Sequence, residues 1–457
     1  MASPQGAPYG VLYDYQKPLK DLANANIKFV RIQWIDYINT VRFRVVPTRY
    51  FLEMHGIRNG AEAVAPANNV RPGIGLTKAS LGLVGLNVAP GFGAVGEHLY
   101  VPDLSSWRVC TYAPGHASVM GYLQEKTPHP QHGLTVPLCP RTLLKRIVDD
   151  AEMAGIRYLV GVESEFILLK QTRPAPVFAA IGDWSCSSKT RTGSAEAAIL
   201  ERIATCLLDA GVELQMYHAE AAPGQFEVVT GPLPPLEAAD ALVFTRETIY
   251  NVAHSHGYKA PSRRASTTIR HLLPRAPRAA DAALAPTLTP AERSFLAGVL
   301  AHLPAALALT LPTAASYARM RDGVWAGGTY ACWGTYNREA PLRACGGAGA
   351  HHFEAKCVDG TSAPHLALAA LLAAGTRGPV AEMSAEEREA VGLGEGRVKR
   401  LPLSIGEARE ALRKDAVMRE MLGEEFVSAY LGVNELMERW MKGKDEAETT
   451  VKLVEYF

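Results

Sequence analysis

Apolar and polar residues alternate along residues 27–36 (IKFVRIQWID) and, less cleanly, along 41–47. A period of two belongs to a strand, whose successive side chains point to opposite faces. These segments predict a strand pair joined at residues 37–40. Residues 56–98 are rich in glycine with weak periodicity and predict no element. The stretch 127–140 (TPHPQHGLTVPLCP) is rich in Pro and His and poor in pattern. It reads as a linker between an N-terminal domain, residues 1–126, and a larger domain, residues 141–457.

Beyond residue 140 the pattern sharpens. Leu143, Leu144, Ile147, Ala151 and Ala154 recur at helical spacing until Gly155. Residues 156–170 then read as one long strand, 195–210 as a helix stopped by Gly211, and 212–220 as a strand. A turn at 221–224 returns the chain along 225–230, and 235–256 is a long helix ending at Gly257. Thr289-Pro290-Ala291-Glu292 spells a capping box with Pro at the first helical position, predicting a helix to Leu311. Ser404-Ile405-Gly406-Glu407 spells another at the head of a helical C-terminal region. The Ala- and Pro-rich stretch 276–290 reads as an exposed connection. Helices and antiparallel strands mixed within one large unit predict the α+β class.

Composition narrows the function classes. Apolar residues make up 48% of the 457 and charged residues 20%, enough for a large core and unlike a disordered chain. Lys plus Arg is 47 and Asp plus Glu 46, so bulk charge recruits neither nucleic acid nor a membrane. Room remains for a local anion site. Seven cysteines with no C-x-x-C pair predict neither a disulfide framework nor a structural zinc site. The first residues lack the pattern of a secretory signal. The longest unbroken apolar run, residues 366–374, is too short to span a bilayer. The expected location is cytoplasmic.

Three segments carry candidate chemistry. In GVESEF (161–166), Glu163 and Glu165 share one strand face with Leu159, Ile167 and Leu169. Two carboxylates on such a face repel and cost desolvation; water, Arg or Lys neighbours, or a bound cation relieve them. In HAEAAPGQFE (218–227), a turn at Ala222-Pro223-Gly224 brings Glu220 and Glu227 to the same end of a hairpin, either exposed or converging with the first pair. Four convergent carboxylates suit Mg²⁺ or Mn²⁺. In the third, NREAPLR (337–343) precedes HHFEAK (351–356). Its cations suit phosphate or carboxylate, and Glu354 offers a fifth acidic ligand. Alone, its arginines read as solvated and His351 and His352 as surface or core histidines.

GVESEF, HAEAAPGQFEVV, YNVAHSHG, FLAGVLAHLPAALALTLPT with SYARM, WGTYNREAPLR, and FEAKCVDGTSAPHLALAALLAAG occur in that order. Together they resemble the type I glutamine synthetase superfamily across essentially the whole chain, in particular the fungal branch that includes the synthetase-like half of FluG-type proteins. The resemblance implies an N-terminal β-grasp domain and a large catalytic domain of antiparallel strands and helices. It implies stacked rings, usually a dodecamer, with each active site between neighbouring subunits. ATP would phosphorylate the γ-carboxylate of glutamate, and an amine would displace phosphate. By motif position, Glu165, Glu220 and Glu227 would hold one Mg²⁺ or Mn²⁺. Glu163 and Glu354, with a histidine, would hold another. Arg319, Arg338 and Arg343 would hold the substrate carboxylate or the transferring phosphoryl group.

The departures bear on the substrate. A Lys-Pro element, a Gly-rich loop and a His-x-His-x-Ser segment of the family are shortened here to residues 260–274. His271 alone stands for two family histidines, one a metal ligand and one on the nucleotide side. The glutamate that closes the site falls near Trp325, and the N-domain aspartate for ammonium has no counterpart in RPGIGLTKAS (71–80). His352 replaces a phosphate-binding arginine, and Lys356 keeps the charge of another without its fork. The combination implies an ATP- and metal-dependent carboxylate–amine ligase with an amine other than ammonia. Ordinary glutamine synthetase and a metal- and nucleotide-binding ring pseudoenzyme are the alternatives.

Overall fold

The computed structural model describes residues 22, 26–55, 72–179, 187–272, 288–347, 349–376, 399–443 and 445–457. Its N-terminal strands are β1 Phe29–Ile35, β2 Val41–Pro47, β3 Ile74–Thr77, β4 Leu83–Val84, β5 Asn87–Val88, β6 Glu97–Pro102, β7 Arg108–Val109, β8 His116–Val119, β9 Gly121–His129 and β10 Gly133–Thr135. They form a sheet of order β2-β1-β8-β7, a second of order β10-β9-β6-β3, and the small pair β4-β5. β1 and β2 pair antiparallel as their alternation predicts. Asp36 closes the turn between them: its Oδ1 accepts the N–H of Ile38 at 3.1 Å and of Thr40 at 2.8 Å. Asn39 takes the left-handed conformation, φ 63°, which Asn tolerates.

Two sequence expectations change here. Residues 127–140 do not form a free connection: β9 runs into them, β10 folds back on it, and the helix Pro140–Met153 starts directly after. Much of the stretch is exposed, so it lacks the one-sided apolar pattern that marks a strand. The Gly-rich region yields β3 to β5 and the start of β6. Residues 273–287, most of the expected Ala/Pro connection, lie outside the described residues, as do 56–71.

The C-terminal half adds β11 Arg157–Ile167, β12 Leu169–Gln171, β13 Val177–Phe178, β14 Leu214–Ala219, β15 Gln225–Leu233, β16 Ser262–Leu272, β17 Trp333–Thr335, β18 Leu342–Cys345 and β19 His352–Ala355. Seven of these make one sheet, β14-β15-β11-β16-β19-β18-β17. Alternation sends Val160, Val162, Ile269, Phe353 and Ala355 into the core formed with the helices Pro140–Met153, Pro235–Ser255, Pro290–Thr310 and Pro364–Gly375. The other face carries the acidic residues. The long strand expected over 156–170 breaks after Ile167, where Leu168 turns into β12 and the N–H of Ile167 bonds to Pro261 O at 3.2 Å. The helix Pro290–Thr310 is long and apolar enough to cross a membrane by composition alone, yet 67% of its apolar window is buried inside the protein.

Both expected caps form. Thr289 Oγ1 accepts the N–H of Glu292 at 3.3 Å, and the Glu292 carboxylate accepts the N–H of Thr289 at 2.7 Å. At Ser404 the reciprocal arm differs, because Glu407 accepts from Leu403 rather than from Ser404 itself. Thr289→Ala is expected to cost about 1 kcal/mol, read as a lowered urea midpoint with unchanged slope. No change in midpoint would show that the cap is idle.

A buried charged knot joins the halves. Arg141, at the head of its helix, donates to both oxygens of Asp240 at 3.0 and 2.7 Å and to Asp103 at 3.0 Å. Its guanidinium lies over the Tyr122 ring, 4.4 Å from the centroid. His365 Nε2 reaches Asp240 at 2.8 Å.

Candidate active site

The acidic face is built by register. Across the ladder Glu165 stands opposite Glu227, and Glu227 stands opposite His218 on its other side. Three strands thus place His218, Glu227 and Glu165 in one row. Glu163 is two residues along β11, opposite Val229 and Ser266. The β14–β15 turn closes through the N–H of Glu220 on Gln225 O at 2.9 Å, with Gly224 at φ 68°. A β-carbon there would sit 3.0 Å from Leu168 O, so glycine is needed for both reasons.

Gln225 is a residue that motif reading passed over. Its Oε1 accepts the N–H of Ala222 at 3.1 Å, and its Nε2 donates to Glu165 at 2.6 Å. One side chain therefore holds the turn and aims Glu165. The signal lay in a glutamine directly after the turn's Pro223-Gly224.

His218 was quoted within its motif but given no role. Its Nε2 lies 3.3 Å from a Glu227 oxygen and its Nδ1 3.8 Å from a Glu220 oxygen. Donor atoms of His218, Glu220 and Glu227 all lie within 4.8 Å of one another. That spacing, with Glu165 adjacent in the row, fits a divalent cation held mainly by oxygen. Glu220 and Glu227 share this group of donors, and Glu165 stands opposite Glu227 in the ladder.

Glu354 has different company. It pairs with Thr268 and Arg343 across β16 and β18, so one strand separates it from Glu163. Its buried carboxylate receives Arg343 at 2.5 Å and faces Lys356 at 3.7 Å. Arg343, Lys356 and Glu354 therefore form one charged group beside the carboxylate row. His352 sits two residues away on the same strand. Burial, with Arg270 and Arg343 nearby, holds its imidazole below the ordinary value. Arg319 caps the helix Ala314–Ala318 and is ion-paired with buried Asp359. Arg338 is exposed in the turn before β18. The backbone of His271 lies in β16 opposite Tyr158, and its side chain is outside the described residues.

The loop around Trp325 is pinned by two carboxylates. Glu339 accepts the N–H groups of Gly323 at 2.9 Å and Trp325 at 2.7 Å. Asp322 accepts from the backbone and hydroxyl of Thr329. Gly327 approaches Lys356 so closely that a β-carbon there would stand 3.2 Å from that side chain. Trp325, two residues earlier, is 63% exposed on a left-handed backbone, φ 57°. The loop thus borders the charged group and presents an indole outward.

Comparison with known proteins agrees with the geometry. The family profile for the glutamine synthetase catalytic domain matches residues 137–449. Protein fluG of Emericella nidulans is 32% identical over 468 residues, covering 95% of this chain and 49% of fluG, so the chain spans about half of that relative. Gamma-glutamylpolyamine synthetase GlnA3 of Streptomyces coelicolor is 33% identical over 444 residues, 90% of each chain. Among solved structures, a crystal structure of a glutamine synthase homolog matches with a TM-score of 0.74 at 25% identity, covering 94% of this chain and 99% of that one.

Proposed function

The chain belongs to the glutamine synthetase superfamily and carries its catalytic domain, that of ATP-dependent ligases, and we propose that it joins a carboxylate, glutamate or a related acid, to an organic amine. The observation that carries the choice of amine is Trp325. By motif position the family's site-closing glutamate, which would hold ammonium and take its proton, falls near Trp325, whose indole is exposed, while the acidic row is kept. Loss of a positioned general base costs about 10²–10⁴-fold in rate, which ammonia would feel directly. A larger amine gains instead from contact with the indole, by area or by cation–π attraction. The name of GlnA3, a polyamine ligase, supports the same reading.

In this proposal Glu165, Glu220 and Glu227 hold one Mg²⁺ or Mn²⁺, with Gln225 fixing Glu165. Glu163 and Glu354 remain the proposed ligands of a second; the backbone register sets His271 opposite Tyr158 and two residues from Ile269 of the core, out of phase with Ser266 and Thr268, which oppose the two glutamates. Such ions would shield charge on the transferring phosphoryl group. In this reading Arg343 and Lys356 would hold the acyl phosphate, and Arg319 and Arg338 the substrate carboxylate. A carboxylate oxygen bonds to the γ-phosphorus as ADP leaves. The amine nitrogen then bonds to the acyl carbon, phosphate leaves with the cleaved C–O bond, and the nitrogen gives up a proton. We place the protein in the cytoplasm, a location supported by free thiols at Cys110, Cys139, Cys206, Cys332, Cys345 and Cys357. We propose a homo-oligomeric ring, a dodecamer, and exposed Phe43, Val45 and Tyr50 on and beside edge strand β2 support a subunit contact.

The test is ADP release by the purified chain with ATP, Mg²⁺ or Mn²⁺ and glutamate across a panel of amines. Alkylamines or polyamines are expected to outrun ammonium. Trp325→Gly, which suits the left-handed backbone, is expected to raise KM for the organic amine and spare KM for ATP. Glutamine formation at on the order of 1–10 s⁻¹ would establish an ordinary glutamine synthetase instead. Metal and ATP binding without turnover on any amine would establish a pseudoenzyme.

A further inference from the structure

We propose that His218 is itself a ligand, binding the divalent cation of the Glu220–Glu227 group through Nε2. The inference rests on the reading of this row as a metal site, and it changes the donor set from oxygen alone to oxygen plus one nitrogen.

The ladder fixes the ring's position. His218 is the residue of β14 opposite Glu227, so its side chain shares the acidic face. Its Nδ1 lies 3.2 Å from the carbonyl oxygen of Ala219, the natural acceptor for an Nδ1–H. With that proton on Nδ1, Nε2 carries a lone pair. That lone pair stands 3.3 Å from a carboxylate oxygen of Glu227. Two acceptors at that distance repel unless a cation lies between them, either a second ring proton, which makes the contact an ion pair, or a metal ion. A metal ion meets the need, and a histidine whose other nitrogen donates to a backbone carbonyl is the usual form of a metal-bound imidazole.

The spacing agrees. Ligand atoms about 2.0–2.2 Å from one ion lie roughly 3–4.4 Å from each other, by the bond lengths typical of nitrogen and carboxylate ligands. His218, Glu220 and Glu227 offer atoms all within 4.8 Å. A small turn of the half-buried Glu220 completes the set.

A nitrogen donor alters selectivity. Mg²⁺ keeps to oxygen and water, whereas Mn²⁺, Co²⁺ and Zn²⁺ accept imidazole. The site should therefore favour Mn²⁺ over Mg²⁺ more strongly than three carboxylates would.

Pulsed electron paramagnetic resonance of the 457-residue chain with one equivalent of Mn²⁺ tests this without reference to activity. The expected result is a ¹⁴N modulation from a directly bound imidazole. It should vanish in His218→Gln and persist in His271→Gln. Wild-type protein labelled with ¹⁵N-histidine should also lose the ¹⁴N signal, which gives a check that needs no variant to fold. His218→Gln should weaken Mn²⁺ binding by at least about tenfold, since even outer-shell partners cost that much, and Mg²⁺ binding far less. Bound Mn²⁺ without ¹⁴N modulation would overturn the proposal and leave the carboxylate site standing. A signal that survives in His218→Gln but not in His271→Gln would overturn it as well. Absence of Mn²⁺ binding at millimolar concentration would overturn both this proposal and the metal reading.

Discussion

Asp240→Ala is expected to lower the unfolding free energy by about 3–5 kcal/mol, the cost of leaving a buried ion without its partner. Asp240 takes two hydrogen bonds from Arg141 and one contact from His365. Without it, Arg141 keeps Asp103 and the Tyr122 ring but loses its bidentate carboxylate inside the protein. The knot also joins β6–β9 to the catalytic helices, so the loss should loosen the two halves together. Urea unfolding followed by both tryptophan fluorescence and circular dichroism reads the effect. Asp149→Ala, which breaks a half-buried surface i,i+4 pair with Lys145, serves as the control at about 1 kcal/mol or less. Equal midpoints for the two variants would show that the knot contributes nothing special.

The same group sets a pH dependence. Burial pushes the Asp240 carboxyl up, but the Arg141 guanidinium and the His365 hydrogen bond outweigh it and hold the pKa at about 2, against 3.8 in the unfolded chain. A pKa lowered on folding stabilises above the unfolded value and is lost as pH falls through the folded one. The shift is worth about 2 kcal/mol. That contribution should be full above pH 4 and disappear between pH 4 and 2. In Asp240→Asn this part of the acid loss should be missing.

How much of this was legible before the fold depends on whether a residue's partners are local. The β14–β15 hairpin reads directly, because Pro223-Gly224 marks the turn and the two glutamates flank it. Glu163 and Glu165 read as one face because strand alternation is exact. β16 does not read at all: Ser266, Thr267 and Thr268 look like loop residues. Yet the strand is central in the sheet, and Ser266 and Thr267 are buried in it. Hydrophobic periodicity finds strands with one dry face, whereas this one underlies a polar site. Glu354 illustrates the other limit. An acidic residue near basic ones suggests either a metal ligand or an ion pair, and only the β18–β19 register places Arg343 directly opposite it. The Trp325 loop is similar, since its shape comes from Asp322 and Glu339, whose side chains bond to backbone several residues away.

Glu227→Gln is expected to move stability in opposite directions with and without metal, and to reduce ADP release by at least about 10²-fold, the typical cost of one charged or donor group at a phosphoryl or acyl centre. Glu227 lies at the middle of the row, opposite Glu165 on one side and His218 on the other. It and Glu165 are both buried at opposing ladder positions, and two carboxylates so placed cost desolvation and repulsion. Glutamine keeps the size and an acceptor oxygen while removing one charge, so metal-free protein should melt at a higher temperature. With Mn²⁺ the order should reverse. A cation bound only by the native state adds about 2.7 kcal/mol at a hundredfold excess over Kd, and loss of a central ligand removes most of that gain. A residue that merely satisfied β14 through an ion pair with His218 would behave otherwise: its replacement would lower the melting temperature equally in both conditions. Differential scanning calorimetry of both proteins, chelated and Mn²⁺-loaded, distinguishes the two. Parallel destabilisation would remove Glu227 from the metal site and make it a structural partner of His218.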